Sequence, residues 1–113
     1  MRLPNSERAI VEIEKLRDYS LNPEHPEGKD KARVFRSALG FTQADAERLR
    51  QMVLDAARTG EATPGKLSPY GQLYALDFET KGLRGAVTVR TAWIVATGTN
   101  FPRLVSCYVK GTR

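Results

Sequence analysis

The apolar residues in the first half of the chain have the spacing of helices. Ala32, Phe35 and Leu39 share one helix face, and Gly40 follows where a helix commonly ends. Thr42 is a typical N-cap for a second helix, which ends near residue 60. The buried face of that helix would consist of Ala46, Leu49, Val53 and Ala56. The pattern therefore predicts two amphipathic helices.

The segments around these helices differ from them in composition. Residues 9–12 mix alternation with helical spacing, which predicts a short strand that passes into a helix over residues 13–19. Residues 21–28 contain Pro23, Pro26 and Gly28, which favour turns and exclude a continuous helix. Residues 61–70 carry two prolines and one glycine with almost no apolar residue, which predicts a mobile connection.

Beyond residue 70 the period changes to two, as in strands with one buried face. The first strand would bury Tyr74, Leu76 and Phe78, and the second Val87, Val89, Thr91, Trp93 and Val95. In the last strand, Arg103, Val105, Cys107 and Val109 share one face, and Leu104, Ser106, Tyr108 and Lys110 share the other. Short turns join the three, so we predict an antiparallel meander.

These elements predict an α+β fold in which N-terminal helices pack on one face of a C-terminal antiparallel meander of three or more strands. A chain of 113 residues is the size of one domain, with a helical half over about 1–60, a connection over about 61–70 and a sheet half over about 71–110. The expected core places Leu76, Phe78, Val87, Val89, Trp93, Val105 and Cys107 against Phe35, Leu39, Leu49 and Val53.

Charge and composition indicate which binding partners and which cellular location to expect. Eighteen Lys and Arg against thirteen Asp and Glu give a net charge of +5, which favours polyanions such as RNA, although plain solubility is an alternative explanation. No run approaches the roughly 20 apolar residues that span a bilayer, and the N-terminus lacks the apolar core of a signal peptide. One cysteine, in an apolar run, fits a reducing cytoplasm. We expect a cytoplasmic protein without membrane contact.

Two groups of residues are candidates for chemistry. The sheet face opposite the predicted core collects Asp77, Arg90, Ser106 and Tyr108, although an antiparallel sheet often has one wet face without a function. His25, the only histidine, lies in the proline-rich loop beside the basic residues that begin the next helix. It is a candidate proton donor or acceptor, or alternatively a surface residue or a helix cap. Lys31 lies at the margin of the apolar stripe, within reach of the sheet or this loop.

Other signals of chemistry are missing from the sequence. There is no glycine-rich phosphate loop, and the single His and single Cys do not provide the spacing of a metal site. We therefore predict no metal and no cofactor.

Several stretches together resemble a known family. LPNSERAIVEIEKLRDYSLNPEHPEGKDKARVFRSALGF, YGQLYALDF, VRTAWIV and PRLVSCYV are similar to a bacterial family of uncharacterised domains, found as small free-standing proteins and as C-terminal tips of polymorphic toxins. The order of elements also resembles the small ribonuclease architecture of barnase, EndoU, colicin-type and RelE-like toxins. Relatives tend to carry Thr where this chain has Ser106, which keeps the hydroxyl.

The resemblance implies a toxin-type, metal-independent ribonuclease that acts on RNA by attack of a 2′-hydroxyl on the adjacent phosphate. The expected catalytic residues are His25, Lys31, Arg90 and Ser106, and the expected substrate contacts are Thr91, Tyr108, Arg103 and Lys29. Thr91 conflicts with this role, because strict alternation points it to the core unless a bulge intervenes near Arg90. A toxin also requires a small acidic neutralising protein partner.

Two other functions fit the same residues. A non-catalytic binding module, as an antitoxin, an accessory subunit or an RNA-binding domain, explains the charge and the open sheet without proton chemistry. A structural protein would be favoured if the open face proved apolar around Ile94, Leu104 and Tyr108.

Overall fold

A computed structural model describes residues 1–112 of the chain. The helical elements are a 3₁₀ turn at Ser6–Arg8, α1 at Ile13–Lys15, a π-helix at Leu16–Ser20 that continues α1, α2 at Lys29–Leu39, a second 3₁₀ turn at Gln43–Asp45 and α3 at Ala46–Thr59. The strands are β1 at Ala62–Ser68, β2 at Gly71–Gly82, β3 at Gly85–Ala96 and β4 at Arg103–Thr112. Among the described residues, no helix combines the length and the apolar character needed to cross a membrane.

The four strands form one antiparallel sheet in the order β1-β2-β3-β4, and the helices pack against it, which confirms the predicted α+β meander. The N-terminal segment extends the sheet beyond β4 by a single parallel bridge. The Ile10 N–H donates to Pro102 O at 2.9 Å, and the Leu104 N–H donates to Ile10 O at 2.9 Å. The short strand predicted near residues 9–12 is therefore one bridge, followed by the predicted helix.

The core lies between the helices and one face of the sheet. Phe35 and Leu39 of α2 and Leu49 and Val53 of α3 are buried, as the helical pattern predicts. On the sheet, the buried residues include Leu76, Val87, Val89, Trp93 and Cys107, and Phe78 is partly buried against them. Burial raises the pKa of the Cys107 thiol to about 12, so this cysteine stays protonated at neutral pH.

The helix boundaries follow local backbone chemistry. Gly40 ends α2 with a φ of 73°, a left-handed conformation that glycine adopts without steric cost. Thr42 and Asp45 then form a capping box. The Thr42 side chain accepts a hydrogen bond from a backbone N–H of the 3₁₀ turn that contains Asp45, and the Asp45 side chain accepts one from the backbone N–H of Thr42. Both predicted boundaries are confirmed.

Strand β1 corrects the prediction of a mobile connection over residues 61–70. Its ladder pairs Ala62 with Leu76 and Ser68 with Gly71, and a bulge lies between Pro64 and Leu67. Only Ala62 of this strand is buried. The strand is held by backbone hydrogen bonds at the sheet edge rather than by apolar side chains, so its sequence carries no period-two signal.

A β-bulge in β4 corrects the face assignment of that strand. Ala92 pairs with Ser106, but the next residue, Trp93, pairs with Leu104, so Val105 is the extra residue. Leu104 is consequently buried, whereas Val105 is 42% exposed. The prediction of a buried Val105 was wrong because strict alternation does not hold across a bulge.

The largest buried side chain of the sheet, Trp93, is tied to β2 through Thr91. The Trp93 Nε1–H donates to Thr91 Oγ1 at 2.8 Å, and the Thr91 hydroxyl donates to the backbone oxygen of Leu76 at 2.7 Å. Thr91 is fully buried, and the bulges of β4 leave it on the core face. Its hydroxyl is thus a structural link between two strands and lies away from the open sheet face.

We predict that Thr91→Val, which keeps the shape but removes the hydroxyl, lowers the free energy of unfolding. The indole N–H would be buried without a partner, which costs about 1–3 kcal/mol. Chemical denaturation followed by tryptophan fluorescence measures the change, and Thr91→Ser, which retains the hydroxyl, is the control. A Thr91→Val protein as stable as the parent would contradict this role.

Candidate functional site

The register of the sheet places three polar side chains in one line across the open face. Asp77 of β2 pairs with Arg90 of β3, and Arg90 pairs with Tyr108 of β4. Directly opposite residues on neighbouring strands point to the same face. The three side chains therefore lie side by side on the face away from the core, as the alternation of β2 and β3 predicts.

Asp77 and Arg90 form a two-point ion pair. Arg90 Nε lies 2.8 Å from Asp77 Oδ1, and Arg90 Nη2 lies 3.1 Å from Asp77 Oδ2. Lys110 Nζ lies 3.3 Å from Asp77 Oδ2. Hydrogen bonding from Arg90, supported by Lys110, holds the pKa of the Asp77 carboxyl below its usual range. Since the lowered pKa is that of an acid, the pairs persist at neutral pH and weaken only as strong acid protonates the carboxylate.

Tyr108 links this ion pair to the helical layer. The hydrogen bond and charge of Asp77 raise the pKa of the Arg90 guanidinium, and the neighbouring Tyr108 hydroxyl adds to the effect. On its other side, the Tyr108 ring centre lies 5.5 Å from Lys31 Nζ. The same ammonium lies 4.8 Å from the centre of the Tyr19 ring. Lys31 of α2 therefore sits between two aromatic rings, a geometry typical of cation–π contacts.

His25 lies at the far end of this arrangement. Its ring centre is 4.6 Å from that of Tyr19, with the two planes inclined by 60°. Ring contacts, cation–π contacts and ion pairs thus connect side chains from the loop, the π-helix, α2 and three strands. We call this set the polar row: His25, Tyr19, Lys31, Tyr108, Arg90, Asp77 and Lys110.

The imidazole of His25 caps the turn that leads into α2. Its Nδ1 accepts hydrogen bonds from the backbone N–H groups of Glu27 and Gly28, each at 3.0 Å. An acceptor at Nδ1 leaves the proton of the neutral ring on Nε2, so this orientation presents a donor rather than a base. Position 28 requires glycine, because a β-carbon there would collide with the backbone oxygen of Tyr19. The loop is therefore held tightly, with His25 as its cap.

The other predicted site residues are distributed unevenly. Ser106 is half-buried beside Tyr19, where both line one cavity. Arg103 lies near the start of β4 and pairs with Glu12 at 2.8 Å, apart from the polar row. Lys29 is exposed as the first residue of α2. Thr91 is in the core, and its burial removes it from any set of residues that a ligand can reach.

Sequence reasoning missed two members of the polar row. Tyr19 falls near the end of a predicted helix, and no feature of the sequence distinguishes it from a core aromatic residue. Lys110 is the extra residue of a second bulge, since Thr88 pairs with Gly111 and Val89 with Val109. Alternation places Lys110 on the same face as Tyr108, but residue spacing does not reveal its ion pair with Asp77, two strands away.

The chain matches one known family of protein domains. Residues 2–111 match the family described as a domain of unknown function (DUF6883). This match covers nearly the whole chain, so the chain belongs to that family. It matches no curated protein.

We predict that His25→Ala destabilises the fold through its cap. Loss of a hydrogen bond between a side chain and the backbone of a turn costs about 0.5–1.5 kcal/mol. His25→Asn, whose side-chain oxygen accepts the same kind of hydrogen bond, should recover most of the loss. Urea denaturation followed by circular dichroism compares the three proteins, and equal stability of all three would show that the cap contributes nothing.

Proposed function

We propose that this DUF6883 domain is a toxin-type, metal-independent endoribonuclease that acts on RNA in the cytoplasm. The observation that supports the proposal is the polar row, which joins side chains distant in sequence into one surface of alternating cations and rings. That surface runs from the His25 loop over α2 to the open sheet face.

The composition of the row suits RNA. Cations bind the phosphates of a single strand, and aromatic rings stack on its bases. In the row, Lys31 lies between the Tyr19 and Tyr108 rings, and Arg90 follows Tyr108. The net charge of +5 adds a long-range attraction for the same polyanion.

The proposed reaction is attack of a 2′-hydroxyl on the adjacent phosphorus, in which the P–O5′ bond breaks and a 2′,3′-cyclic phosphate forms. The 2′-hydroxyl loses its proton to solvent, and the departing 5′-oxygen takes a proton from solvent. Negative charge builds on the phosphate oxygens in the transition state. Lys31 and Arg90 would stabilise that charge, and Tyr108, which lies between them, would orient the phosphate. Ser106, two residues before Tyr108 on the same strand, offers a further hydroxyl.

The cap on the turn before α2 limits what His25 contributes. With Nδ1 occupied by two backbone N–H groups, the ring offers Nε2–H as a hydrogen-bond donor to a phosphate oxygen or to the leaving oxygen. Asp77 pairs with Arg90 and Lys110, and these two cations stabilise its charged carboxylate and so make it a weak base. The geometry therefore favours catalysis by charge stabilisation and positioning over catalysis by a histidine base.

A ribonuclease active on cellular RNA requires restraint, so the proposal includes a small acidic protein partner. Such a partner would bind by charge complementarity to the cations of the polar row and cover them. Its acidic side chains would occupy the positions of RNA phosphates. Binding of the partner and binding of RNA should then exclude each other.

A non-catalytic RNA-binding module is the second candidate. Two observations favour it: the Nδ1 of His25 is engaged in the fold, and Asp77 partly neutralises Arg90 and Lys110. With these two groups engaged, the surface could bind RNA but would have no evident proton acceptor for catalysis. Direct assay of cleavage separates the two functions.

We predict that the purified domain cleaves RNA in the presence of a chelator and leaves 2′,3′-cyclic phosphate ends. Within residues 1–112, no three His, Cys, Asp or Glu side chains are grouped to hold a metal ion. Lys31→Ala and Arg90→Ala should each lower kcat by about 10²- to 10³-fold, the usual effect of removing one group that stabilises transition-state charge. Product ends are identified by mass spectrometry.

Lys66→Ala is the matched control for Lys31→Ala, because it removes one exposed lysine from β1, outside the polar row. Its kcat should equal that of the parent. His25→Asn keeps the cap but lacks the imidazole, so it reports the contribution of Nε2–H without the loss of stability. If the parent binds RNA but does not cleave it, the binding module replaces the ribonuclease.

We also predict that Asp77→Asn strengthens RNA binding, because it frees the charges of Arg90 and Lys110. Each additional RNA phosphate that these cations neutralise should steepen the slope of log Kobs against log salt by about 0.7. Fluorescence anisotropy with a single-stranded RNA measures both effects. Asp55→Asn on α3 changes the net charge equally and is the control. Equal affinities for the two variants would place RNA away from the open sheet face.

A further inference from the structure

A cavity of about 420 Å³ opens beside the polar row, between the helical segment 13–20 and strand β4. This volume falls in the range of about 300–1,000 Å³ that is typical of small-molecule sites. Its lining residues are Glu12, Glu14, Lys15, Tyr19, Val105 and Ser106. Tyr19 belongs to both the cavity and the polar row, so the two are continuous.

Two backbone irregularities form the walls of this cavity. On one side is the π-helix, in which the Leu21 N–H reaches back five residues to Leu16 O at 2.8 Å. On the other is the bulge that turns Val105 outward. π-helices and β-bulges both occur preferentially at functional sites, and here each supplies a wall of the same cavity.

The walls combine apolar and polar groups. Tyr19 offers part of an aromatic side chain that also contacts Lys31 and His25, Val105 an exposed methyl surface, Ser106 a hydroxyl and Lys15 an ammonium. One oxygen of Glu12 is engaged by Arg103 Nη1 at 2.8 Å. Glu14 is exposed and forms no salt bridge among the described residues, although the charge of Arg17 acts on it, so both of its carboxylate oxygens can accept hydrogen bonds. Lys15 also lines the cavity, and Tyr19 connects the cavity to Lys31 of the polar row.

We propose that this cavity binds a guanine base of the RNA, next to the phosphate held at Lys31. The inference rests on the proposed RNA substrate and adds a base preference to it. The base would pack between the Tyr19 ring and Val105, since unpaired RNA bases are recognised by aromatic stacking and by hydrogen bonds to their edges. The Glu14 carboxylate would accept hydrogen bonds from that edge.

The acceptor chemistry of Glu14 selects guanine among the four bases. Guanine presents two adjacent donors, N1–H and the 2-amino group, which match the two oxygens of a carboxylate. Adenine and cytosine present one amino group beside a ring nitrogen that is itself an acceptor. Uracil presents one N–H between two carbonyl oxygens. In each of these three bases, an acceptor faces the second carboxylate oxygen.

Titration of the domain with nucleoside 5′-monophosphates, followed by calorimetry or NMR, tests the proposal without any cleavage assay. Guanosine 5′-monophosphate should bind tightest, and inosine 5′-monophosphate, which lacks the 2-amino group, should bind more weakly. Glu14→Gln should reduce the affinity for the guanine nucleotide by about 5- to 150-fold, the usual discrimination of a two-point base contact. Glu14 is exposed, so the variant should fold normally.

Glu79→Gln is the control, because it removes an exposed carboxylate of β2 that lies outside this cavity. It should leave the nucleotide affinities unchanged. Equal binding of all four nucleotides, no measurable binding, or a Glu14→Gln variant as selective as the parent would each overturn the guanine site. RNA cleavage without base preference would reject the guanine site and keep the ribonuclease. Guanine-selective binding without cleavage would keep the guanine site and reject the ribonuclease.

Discussion

The buried link from Trp93 through the Thr91 hydroxyl to the backbone of Leu76 fixes β3 against β2. A shift of one residue in a strand moves every side chain to the other face of the sheet. It would expose Trp93 and bury Arg90, and both changes are costly because the indole is large and the guanidinium is charged. The same link that completes the core therefore determines that Arg90 and its partners line the open face.

Irregular backbone then extends this face into a site. The bulge at Val105 restores Leu104 to the core and turns Val105 outward. The π-helix brings Tyr19 to the opposite side of the resulting cavity. Each irregularity introduces one extra residue, and in β4 that residue, Val105, lines the cavity while Leu104 lies in the core.

The sequence predicted the parts of the fold that apolar burial determines. The period of two identified β2 and β3 and placed Asp77 and Arg90 on one face, and the helical spacing identified α2 and α3. It failed for β1, where Ala62 alone is buried, and for Val105, where a bulge breaks the alternation. It also left open whether His25 is a cap, since a hydrogen bond from Gly28 to an imidazole depends on loop geometry rather than on spacing.

Asp77 determines how the open face presents its charge. Its two hydrogen bonds hold the Arg90 guanidinium in one orientation beside Tyr108, which lowers the entropy lost when an anion binds. The same carboxylate offsets part of the charge of Arg90 and Lys110 and so weakens attraction for anions in general. The face thus has a fixed orientation of its cations and a smaller total charge. Such a surface discriminates among anions by geometry, because a ligand must fit the fixed guanidinium and the Lys31 ammonium together to offset the repulsion of Asp77.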